Sequence, residues 1–417
     1  MTDTIDSETK DTEVKASPGK RVLIVATVAS MIVHFNMANL QILRDMGCQV
    51  DVACNFRKGY TCSQEKITEL IATLKRMNIG AYQIDFHRNP IHIFAAARAY
   101  RQLNHVLLRR AQSFIQRDGD DGSPYDFIHC HTPVGGIVGR IAAMRHNVKV
   151  IYTAHGFHFF KGAPRRNWLL FYPVEKLCSY WTDVLITINM EDYRLACARF
   201  HAKETFRIPG VGVDTDVFLN NTEDRIQIRQ GLEILEDDFF ILSTGELNKN
   251  KNHEVIIRAI AALKNPHIQY RICGQGSSEN DLRKLICSLG LETQVKLLGF
   301  RQDIPALCHA ADLFAFPSRR EGLGLAAIEA MASGLPLVTS NVHGILDYAG
   351  NGKGAITCPP SSVDAFADAI GKLYADPELR VRMGEHNRKE CLKYDISAAN
   401  EAMRQIYDGM CHKLAAR

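Results

Sequence analysis

Residues 314–340 read FAFPSRREGLGLAAIEAMASGLPLVTS, and this stretch decides the fold. Its apolar start predicts a buried strand that ends near Pro317, and its centre predicts a helix that runs to about Ser333. Gly334 and Pro336 end that helix, because glycine is favoured just past a helix C-terminus and proline cannot continue one. A second apolar run, LPLVTS, follows. Two strands that flank a helix are typical of a parallel sheet.

The same alternation extends in both directions along the chain. In the first half, RVLIVATV, CQVDVAC, FIHCHTP, KVIYTAHG and DVLITIN resemble strands, with helical stretches such as FNMANLQILRDMG and NWLLFYPVEKLCSYW between them. In the second half, FFILSTGEL, IQYRICGQG, QVKLLGF and DLFAFPS repeat the pattern. IPGVGVDTDVF, at residues 208–218, breaks the rhythm between the halves. We therefore predict an α/β protein with two Rossmann-like domains, whose parallel sheets face a central cleft that binds the substrate.

Length and composition restrict the functional class. The chain has 417 residues, which is too many for one compact core and favours two domains of roughly 200 residues. A formal net charge of +4 is small for this length and does not predict a nucleic-acid partner. The N-terminus is polar and acidic, unlike a signal peptide, and no run approaches the ~20 apolar residues that cross a bilayer. We expect a cytoplasmic protein with reduced cysteines, because Cys54, Cys130, Cys273 and Cys358 lie in or beside apolar, strand-like runs as small buried residues do.

His129-Cys130-His131 is a pattern that suggests a metal site. On a strand, however, the two histidines share one face and the cysteine takes the other. No second pair of ligands stands at a spacing typical of zinc sites. We therefore predict no metal ion.

The loop and helix within residues 314–340 carry the strongest functional signal. Gly322 and Gly324 permit close backbone approach, and the helix start offers unpaired N–H groups to an anion such as a diphosphate. Glu329 lies early in the helix, on a face turned away from solvent, where its carboxylate can accept hydrogen bonds from a vicinal diol such as a ribose. Glu321 stands eight residues earlier. Two acids at this spacing are usually surface charges, but the glycines and prolines around them favour a binding site.

The segment EGLGLAAIE, residues 321–329, resembles the E-x7-E motif of retaining glycosyltransferases. The FPS before it and the AMASGLP after it resemble glycosyltransferase family 4, and the resemblance extends from RVLIVATV through TAHGFHFF and IPGVGVD to the C-terminus. Enzymes that build capsular or exopolysaccharide repeat units contain segments similar to TAHGFHFFKGAP, ITINMEDY and TGELNKNKNH. The resemblance implies the GT-B fold, with the sugar donor bound in the C-terminal half.

These patterns give predicted domain limits. Residues 1–20 are predicted to be a disordered tail, and residues 21–208 an N-terminal, acceptor-binding Rossmann-like domain. Residues 209–385 are predicted to form a C-terminal domain that binds the nucleotide sugar. Residues 386–417 are predicted to be a helical segment that packs back toward the N-terminal domain.

The resemblance also implies a role for individual residues. Glu329 is expected to bind the ribose, Glu321 the transferred sugar, and Lys251 the diphosphate. His155 matches the active-site histidine beside that sugar, and His158 is a neighbour on the acceptor side. The implied catalytic residues are His155, Glu321 and Lys251, and the implied donor-binding residues are Glu329, Gly322, Leu323, Gly324, Gly274, Phe300, Arg301 and Ser30.

The chain departs from the family pattern in two places. Relatives usually carry an arginine just after the glycine that follows the first strand of the second half, and Glu246 stands there instead. Lys249 or another cation is then left to help neutralise the diphosphate. The glycine-rich turn expected after RVLIVATV is replaced by VASMIVHFN, in which Ser30 is expected to supply the contact.

We predict a retaining, metal-independent glycosyltransferase that needs no cofactor and uses a UDP-sugar as donor. The resemblance implies transfer of a hexose or N-acetylhexosamine to an oligosaccharide or polyprenyl-diphosphate-linked glycan in the synthesis of a cell-surface polysaccharide (exopolysaccharide, capsule or lipopolysaccharide). Two alternatives stay open: a UDP-sugar 2-epimerase with the same architecture, and a non-catalytic protein that binds nucleotide sugars.

A lipid-linked acceptor predicts a peripheral position at the inner face of the cell membrane. Two sequence features fit contact with an anionic membrane surface. One is a run of six arginines between residues 88 and 117 with no acid among them, and the other is an aromatic region: Trp168, Phe171, Tyr172 and Trp181. The alternatives are a solvated helix face for the arginines and core or interdomain packing for the aromatic residues.

Overall fold

The computed structural model describes residues 19–57, 62–87, 92–120, 122–219 and 225–415. Most of the predicted tail, residues 1–18, lies outside this range, as does Arg88 of the predicted basic run. No helix in these ranges combines the length and the apolar character needed to cross a membrane.

The first half of the described chain contains a seven-stranded sheet, in which every pairing between strands is parallel. In chain order its strands are β1 (Arg21–Val28), β2 (Gln49–Asn55), β3 (Gly80–Gln83), β4 (Phe127–His131), β5 (Lys149–Ala154), β6 (Val184–Thr187) and β7 (Glu204–Arg207). The spatial order is β3-β2-β1-β4-β5-β6-β7. All residues of the central strand β1 are buried, because helices cover both faces of a parallel sheet.

Helices connect these strands. They are α1 (Ala29–Phe35), α2 (Met37–Asp45), α3 (Gln64–Arg76), α4 (Ile93–Leu107), α5 (Pro133–His146), α6 (Arg165–Leu170), α7 (Tyr172–Ser179) and α8 (Met190–Arg199). Helices α4 and α5 share one apolar cluster with the Trp168–Tyr172 region, so they cover the same face of the sheet.

The second half repeats the plan with a six-stranded parallel sheet in the described residues, in the order β10-β9-β8-β11-β12-β13. Its strands are β8 (Phe239–Thr244), β9 (Ile268–Cys273), β10 (Val295–Gly299), β11 (Leu313–Phe316), β12 (Leu337–Ser340) and β13 (Ala355–Cys358). The helices of this half are α9 (Thr215–Leu219), α10 (Arg225–Gly231), α11 (His253–Leu263), α12 (Glu279–Ser288), α13 (Ile304–Ala310), α14 (Leu325–Ala332), α15 (Leu346–Ala349), α16 (Val363–Ala375), α17 (Pro377–Glu390) and α18 (Ile396–Ala415), with 3₁₀ helices at His343–Ile345 and Cys391–Tyr394. Two parallel α/β units confirm the predicted fold class.

The last helix, α18, returns to the first sheet. The Tyr407 hydroxyl lies 2.7 Å from Nδ1 of His129 on β4, and Lys413 pairs with Glu204 at the start of β7. The tyrosine is fully buried in this contact. We keep the predicted limits at residues 208 and 385 as a proposal, in which residues 386–417 belong with the N-terminal domain.

Two predicted elements differ from the structure. FNMANLQILRDMG predicts one helix from Phe35 onward, but a separate helix, α1, already begins at Ala29 and ends at Phe35. Helix α2 follows after Asn36, whose side chain donates to the Met31 carbonyl. The stretch NWLLFYPVEKLCSYW was expected to form one helix, but it divides between α6 and α7 at Phe171. Pro173 explains the break, because proline has no N–H to donate to the preceding turn.

The predicted basic surface is wrong in part. Arg109 Nη1 and Arg117 Nε lie 3.4 and 3.3 Å from the carboxylate oxygens of Asp51, a buried residue of β2. Arg117 is itself only 6% exposed, and Arg109 also pairs with Asp120. These arginines therefore neutralise acids that are distant in sequence, and they are not free to contact a membrane.

The aromatic region is also largely internal. The Trp168 and Tyr172 rings both lie 5.5 Å from the ring of Phe159, and Phe171 packs on the same cluster. Core packing, the alternative weighed for this region, describes these three residues.

Candidate active site

Lys251 and Glu321 form the centre of the site in the second half. Lys251 Nζ lies 2.6 Å from Glu321 Oε1, and the two side chains are only 20% and 14% exposed. The two residues follow β8 and β11, which are neighbours in the sheet, so the carboxyl ends of parallel strands bring them together. A cation beside an acid at this edge can bind a phosphate oxygen and a sugar hydroxyl side by side.

Hydrogen bonds fix the loop after β8, which carries Lys251, against the loop after β11, which carries Glu321. The Asn248 side-chain oxygen accepts the backbone N–H groups of Asn250 and Lys251, each at 3.0 Å. The Asn250 amide then donates to the Arg320 carbonyl at 2.9 Å. Lys251 and Glu321 therefore meet on a backbone that is already fixed, which is what preorganised catalysis needs.

Gly322 packs directly against the first half of the chain. A Cβ atom there would lie 2.3 Å from the His155 carbonyl oxygen, so only glycine permits this approach. Its own carbonyl accepts a hydrogen bond from Asn189 Nδ2 at 3.0 Å. Leu323 is a core residue, 3% exposed, and Gly324 adopts a φ of +91° before α14. This loop was predicted to contact the donor. The structure shows that it also packs at the junction of the two halves.

Glu329 lies on α14 with an unusual carboxylate. Burial raises its pKa. Across the described ranges its side chain makes no hydrogen bond and no ion pair, although an unpaired buried carboxylate is costly. A ligand that donates two hydroxyls would remove that cost, and a ribose is such a ligand.

A cavity of about 570 Å³ contains several predicted donor-binding residues. Gly274, Phe300 and Arg301 line it, together with Glu246, the residue found where an arginine was expected. Arg301 Nε donates a hydrogen bond to Asp303 Oδ1 at 2.8 Å, whereas the Phe300 side chain is 61% exposed. An exposed ring beside acceptor groups suits the base of a nucleotide better than its phosphates.

Three histidines cluster in the first sheet: His131 and His155 at the carboxyl ends of β4 and β5, and His129 buried within β4. His155 Nε2 lies 3.2 Å from His131 Nδ1, and His129 Nε2 lies 2.8 Å from the Thr153 hydroxyl. Burial lowers the pKa of His155 to about 4 and that of His129 to about 3. His155 is therefore neutral at pH 7 and can act on a sugar only through hydrogen bonds.

His131 was absent from the predicted site, although the sequence carried a signal for it. The pattern His-x-His at the end of a strand placed His129 and His131 on one face, and the structure has their rings 4.1 Å apart. In the described part of the chain, no group of three or more His, Cys, Asp or Glu side chains could hold a metal ion. The histidines are instead paired with one another and with neutral hydroxyls.

A network that the sequence did not reveal joins the two halves. Asp192 accepts from Asn189 Nδ2 at 2.9 Å, and its other oxygen lies 2.9 Å from His343 Nε2 in the second half. Both members of the Asp192–His343 pair are essentially inaccessible to solvent. The Met190 N–H donates to Asp347 across the same junction at 2.8 Å. Asn189, in the segment ITINMEDY, also caps α8, where its side chain accepts from the Asp192 N–H.

The structure also bears on the missing cation. Lys249 lines a different cavity, of about 740 Å³, together with Arg319, whose side chain bonds to Asn252. Arg320 is half-buried, and its guanidinium forms no hydrogen bond or ion pair among the described residues. Burial lowers its pKa, and the nearby carboxylates of Glu321 and Asp192 act against that shift. Ser30 lies buried in the first turn of α1, and its donor contact stays a prediction.

Two Rossmann-like units, with a lysine–glutamate pair on one edge and a histidine on the other, define a glycosyltransferase of GT-B architecture. The chain belongs to glycosyltransferase family 4: residues 40–217 match the model described as Glycosyltransferase Family 4, and residues 224–390 match Glycosyl transferases group 1. The protein is therefore an enzyme that transfers sugars.

Individual relatives agree with this assignment. The chain is 36% identical to the provisionally named glycosyltransferase EpsD of Bacillus subtilis (strain 168), over 93% of this chain and 96% of the relative. It is 28% identical to the Escherichia coli UDP-Gal:alpha-D-GlcNAc-diphosphoundecaprenol alpha-1,3-galactosyltransferase, over 69% of this chain and 76% of that enzyme. The crystal structure of Anabaena Alr3699/HepE in complex with UDP-glucose has the same fold, with a TM-score of 0.71, 20% identity, and coverage of 93% of this chain and 99% of that one.

Proposed function

We propose that this enzyme transfers a hexose or N-acetylhexosamine from a UDP-sugar, with retention of configuration, to a glycan on a lipid diphosphate. The observation that carries the proposal is the fixed Lys251–Glu321 pair, which Gly322 joins to the His155 backbone. The relatives support the donor and the acceptor: one was crystallised with UDP-glucose, and another is named for transfer to GlcNAc-diphosphoundecaprenol.

The geometry suggests a division of labour in the reaction. Lys251 and the start of α14 face the leaving diphosphate, whereas Glu321 and the neutral His155 orient the sugar. The bond from the anomeric carbon to the phosphate oxygen breaks while the acceptor oxygen bonds to the same face of that carbon. The acceptor proton passes to the departing phosphate oxygen, and UDP leaves. No enzyme nucleophile is required, and each preorganised donor contributes roughly 10²–10³ in rate.

Arg320 supplies the second positive charge in this proposal. Its half-buried guanidinium has no hydrogen bond or ion pair with any described residue, and it lies next to Glu321 in the chain. Arginine suits this task because its planar fork can bind two phosphate oxygens at once. No cation is then required at position 246, and Glu246 lies in the cavity assigned to the nucleotide base.

Contact with an anionic membrane is proposed for a surface other than the predicted one. On α6 and α7 the side chains of Leu169, Leu170 and Leu177 are 76%, 61% and 55% exposed. Arg165 and Arg166 are exposed at the start of α6. Apolar groups beside basic ones are typical of helices that lie in a membrane interface. Sedimentation with anionic vesicles should fall several-fold in a Leu169→Ser/Leu170→Ser variant, and unchanged binding would contradict this surface.

The decisive experiment measures nucleotide release from UDP-, GDP- and ADP-sugars, with and without a prenyl-diphosphate-linked sugar. We expect release of UDP that depends on the acceptor, together with a retained anomeric linkage in the product. Formation of an epimer from UDP-N-acetylhexosamine alone would favour the 2-epimerase. Tight binding of a UDP-sugar without any turnover would favour the non-catalytic alternative.

A further inference from the structure

A second polar cavity lies in the first half of the chain, away from the Lys251–Glu321 pair. It has a volume of about 440 Å³ and opens at the carboxyl ends of β2 and β3. Arg57 and Asp85 line it from the segments that follow these strands, and Phe94 and Arg98 line it from α4. None of these four residues has a role in the donor site.

The carboxylate in this cavity is already satisfied. Gln102 and Gln83 each donate to Asp85 at 3.0 Å, one to each carboxylate oxygen, and the Asp85 N–H donates back to Gln102 at 2.8 Å. Burial raises the pKa of Asp85, but the two amide bonds and the charges of Arg57 and Arg98 together lower it. Asp85 is therefore a fixed anion that holds the cavity wall and keeps two guanidinium groups nearby.

Arg57 and Arg98 together carry more positive charge than Asp85 can neutralise. Among the described residues, the guanidinium groups of Arg57 and Arg98 make no hydrogen bond and no ion pair within 4.0 Å, and both residues are exposed. With Asp85 the group carries a net charge of +1. Two free guanidinium forks that face one cavity are suited to an anion with several oxygens, such as a diphosphate.

The position of the cavity fits the acceptor. In the sheet, β2 is three places from β5, the strand that ends beside His155. At about 4.8 Å per strand this places the cavity roughly 14 Å from the histidine along the same edge. One sugar ring and a diphosphate attached to its anomeric carbon span a distance of this order.

The mouth of the cavity is apolar. The Phe94 side chain is 94% exposed at the start of α4. Helix α4 covers the same face of the sheet as the helical region with exposed Leu169 and Leu170. A lipid chain that leaves the cavity past Phe94 would therefore continue onto the exposed apolar side chains of this region.

We propose that this cavity binds the diphosphate of the acceptor, with Arg57 and Arg98 as its ligands and Phe94 against the first units of the lipid. This inference rests on the proposed function, because it assigns the acceptor subsite of that reaction. It also predicts a binding event that needs no transfer chemistry.

Calorimetry tests the subsite directly, with farnesyl diphosphate titrated into the full-length enzyme that is already saturated with UDP. The Arg57→Ala/Arg98→Ala variant should bind at least tenfold more weakly than the wild type. The matched control is Arg101→Ala, an exposed arginine of α4 that does not line the cavity, and it should bind within twofold of the wild type. Equal affinity in the double variant and the wild type would overturn the inference, as would equal losses in both variants.

A kinetic experiment separates the subsite from the proposed function. The acceptor sugar is offered either on a prenyl diphosphate or on an uncharged alkyl chain. The double variant should raise KM at least tenfold for the charged acceptor only, with kcat and the donor KM within twofold. Equal losses on both acceptors would overturn the subsite. Absence of transfer by the wild type would overturn the proposed function, while the calorimetric result would still decide the subsite.

Discussion

The two halves of the molecule share one architecture, but their functional edges are built differently. In the second half the site comes mainly from one continuous segment, residues 314–340, which supplies Glu321 and Glu329. Lys251 and the cavity assigned to the base, lined by Phe300 and Arg301, come from other strand ends of the same sheet. In the first half His131, His155 and Asn189 come from three separate strand ends. The donor edge is thus encoded locally, and the acceptor edge is assembled by the sheet.

This difference predicts unequal sensitivity to substitution. A residue of the donor edge acts on the leaving group or on the nucleotide, so its loss should reduce kcat or weaken donor binding. A residue of the assembled edge, or of the junction, mainly sets the position of the acceptor and the approach of the two halves. The following variants test that contrast, beginning with the largest expected effect.

Replacement of Lys251 by alanine should have the largest effect. It removes the cation assigned to the diphosphate and leaves the mostly buried Glu321 without its partner. We expect kcat to fall roughly 10²–10³-fold, the usual cost of losing one preorganised electrostatic contact. Steady-state kinetics measures this. Lys249→Ala is the matched control, because Lys249 lines another cavity, and it should stay within twofold. Similar losses in the two variants would contradict the assigned contact.

Replacement of Arg320 by alanine should reduce kcat by about tenfold to a hundredfold, with lysine restoring part of the activity. The reason is that a charge with no protein partner has been assigned to the diphosphate. The neighbouring Arg319 provides the comparison, since its side chain bonds to Asn252 rather than to a substrate. If Arg320→Ala kept full kcat, the missing cation would have to be sought elsewhere.

Replacement of Glu329 by alanine should weaken UDP binding by at least tenfold, measured by calorimetry. The carboxylate has no protein partner in the described ranges and is assigned to the ribose hydroxyls. Thermal stability should not fall, because the variant removes a half-buried charge that is unsatisfied without ligand. Glu279→Ala, at an exposed ion pair on α12, should change neither quantity. An unchanged affinity for UDP would disprove the ribose contact.

The same contrast explains what the sequence could predict. Apolar runs and helix ends located most strands and the motif at residues 321–329, because these signals are local. Three short strands, GAYQ, ETFR and AITC, were missed; only some of their residues are buried, whereas all four residues of the equally short β6, β11 and β12 are buried and gave an apolar signal. The sequence also could not show that Arg109 and Arg117 neutralise Asp51, or that Asp192 meets His343. Such contacts join residues far apart in the chain, and only the assembled sheets bring them together.

Loss of the Asp192–His343 pair should have the smallest effect on activity. The dependence of thermal stability on pH distinguishes the contribution of this pair from those of the other histidines. Burial alone would lower the pKa of His343, but the hydrogen bond to Asp192 and the charges of Asp192 and Glu191 raise it overall. A raised pKa in the folded state stabilises the protein at low pH, and this contribution is lost as the pH rises through the folded pKa, above about 6.5. The buried His129, His131, His155 and His158 have lowered pKa values and act with the opposite sign, but only below about pH 6.5.

From pH 7 to pH 9 the comparison of the wild type with His343→Gln isolates the junction, because the buried cysteines, whose raised pKa values also reduce stability in this window, are the same in both proteins. Between these limits the Tm of the wild type should lose about 2 °C more than that of His343→Gln, a shift that corresponds to roughly 1 kcal/mol in a large domain. His412→Gln removes an exposed histidine and should follow the wild type. The acceptor KM of the wild type should rise over the same window, whereas kcat should not, because the junction positions the acceptor edge and leaves Lys251 in place. Parallel Tm profiles for the wild type and His343→Gln would mean that this pair does not hold the halves together.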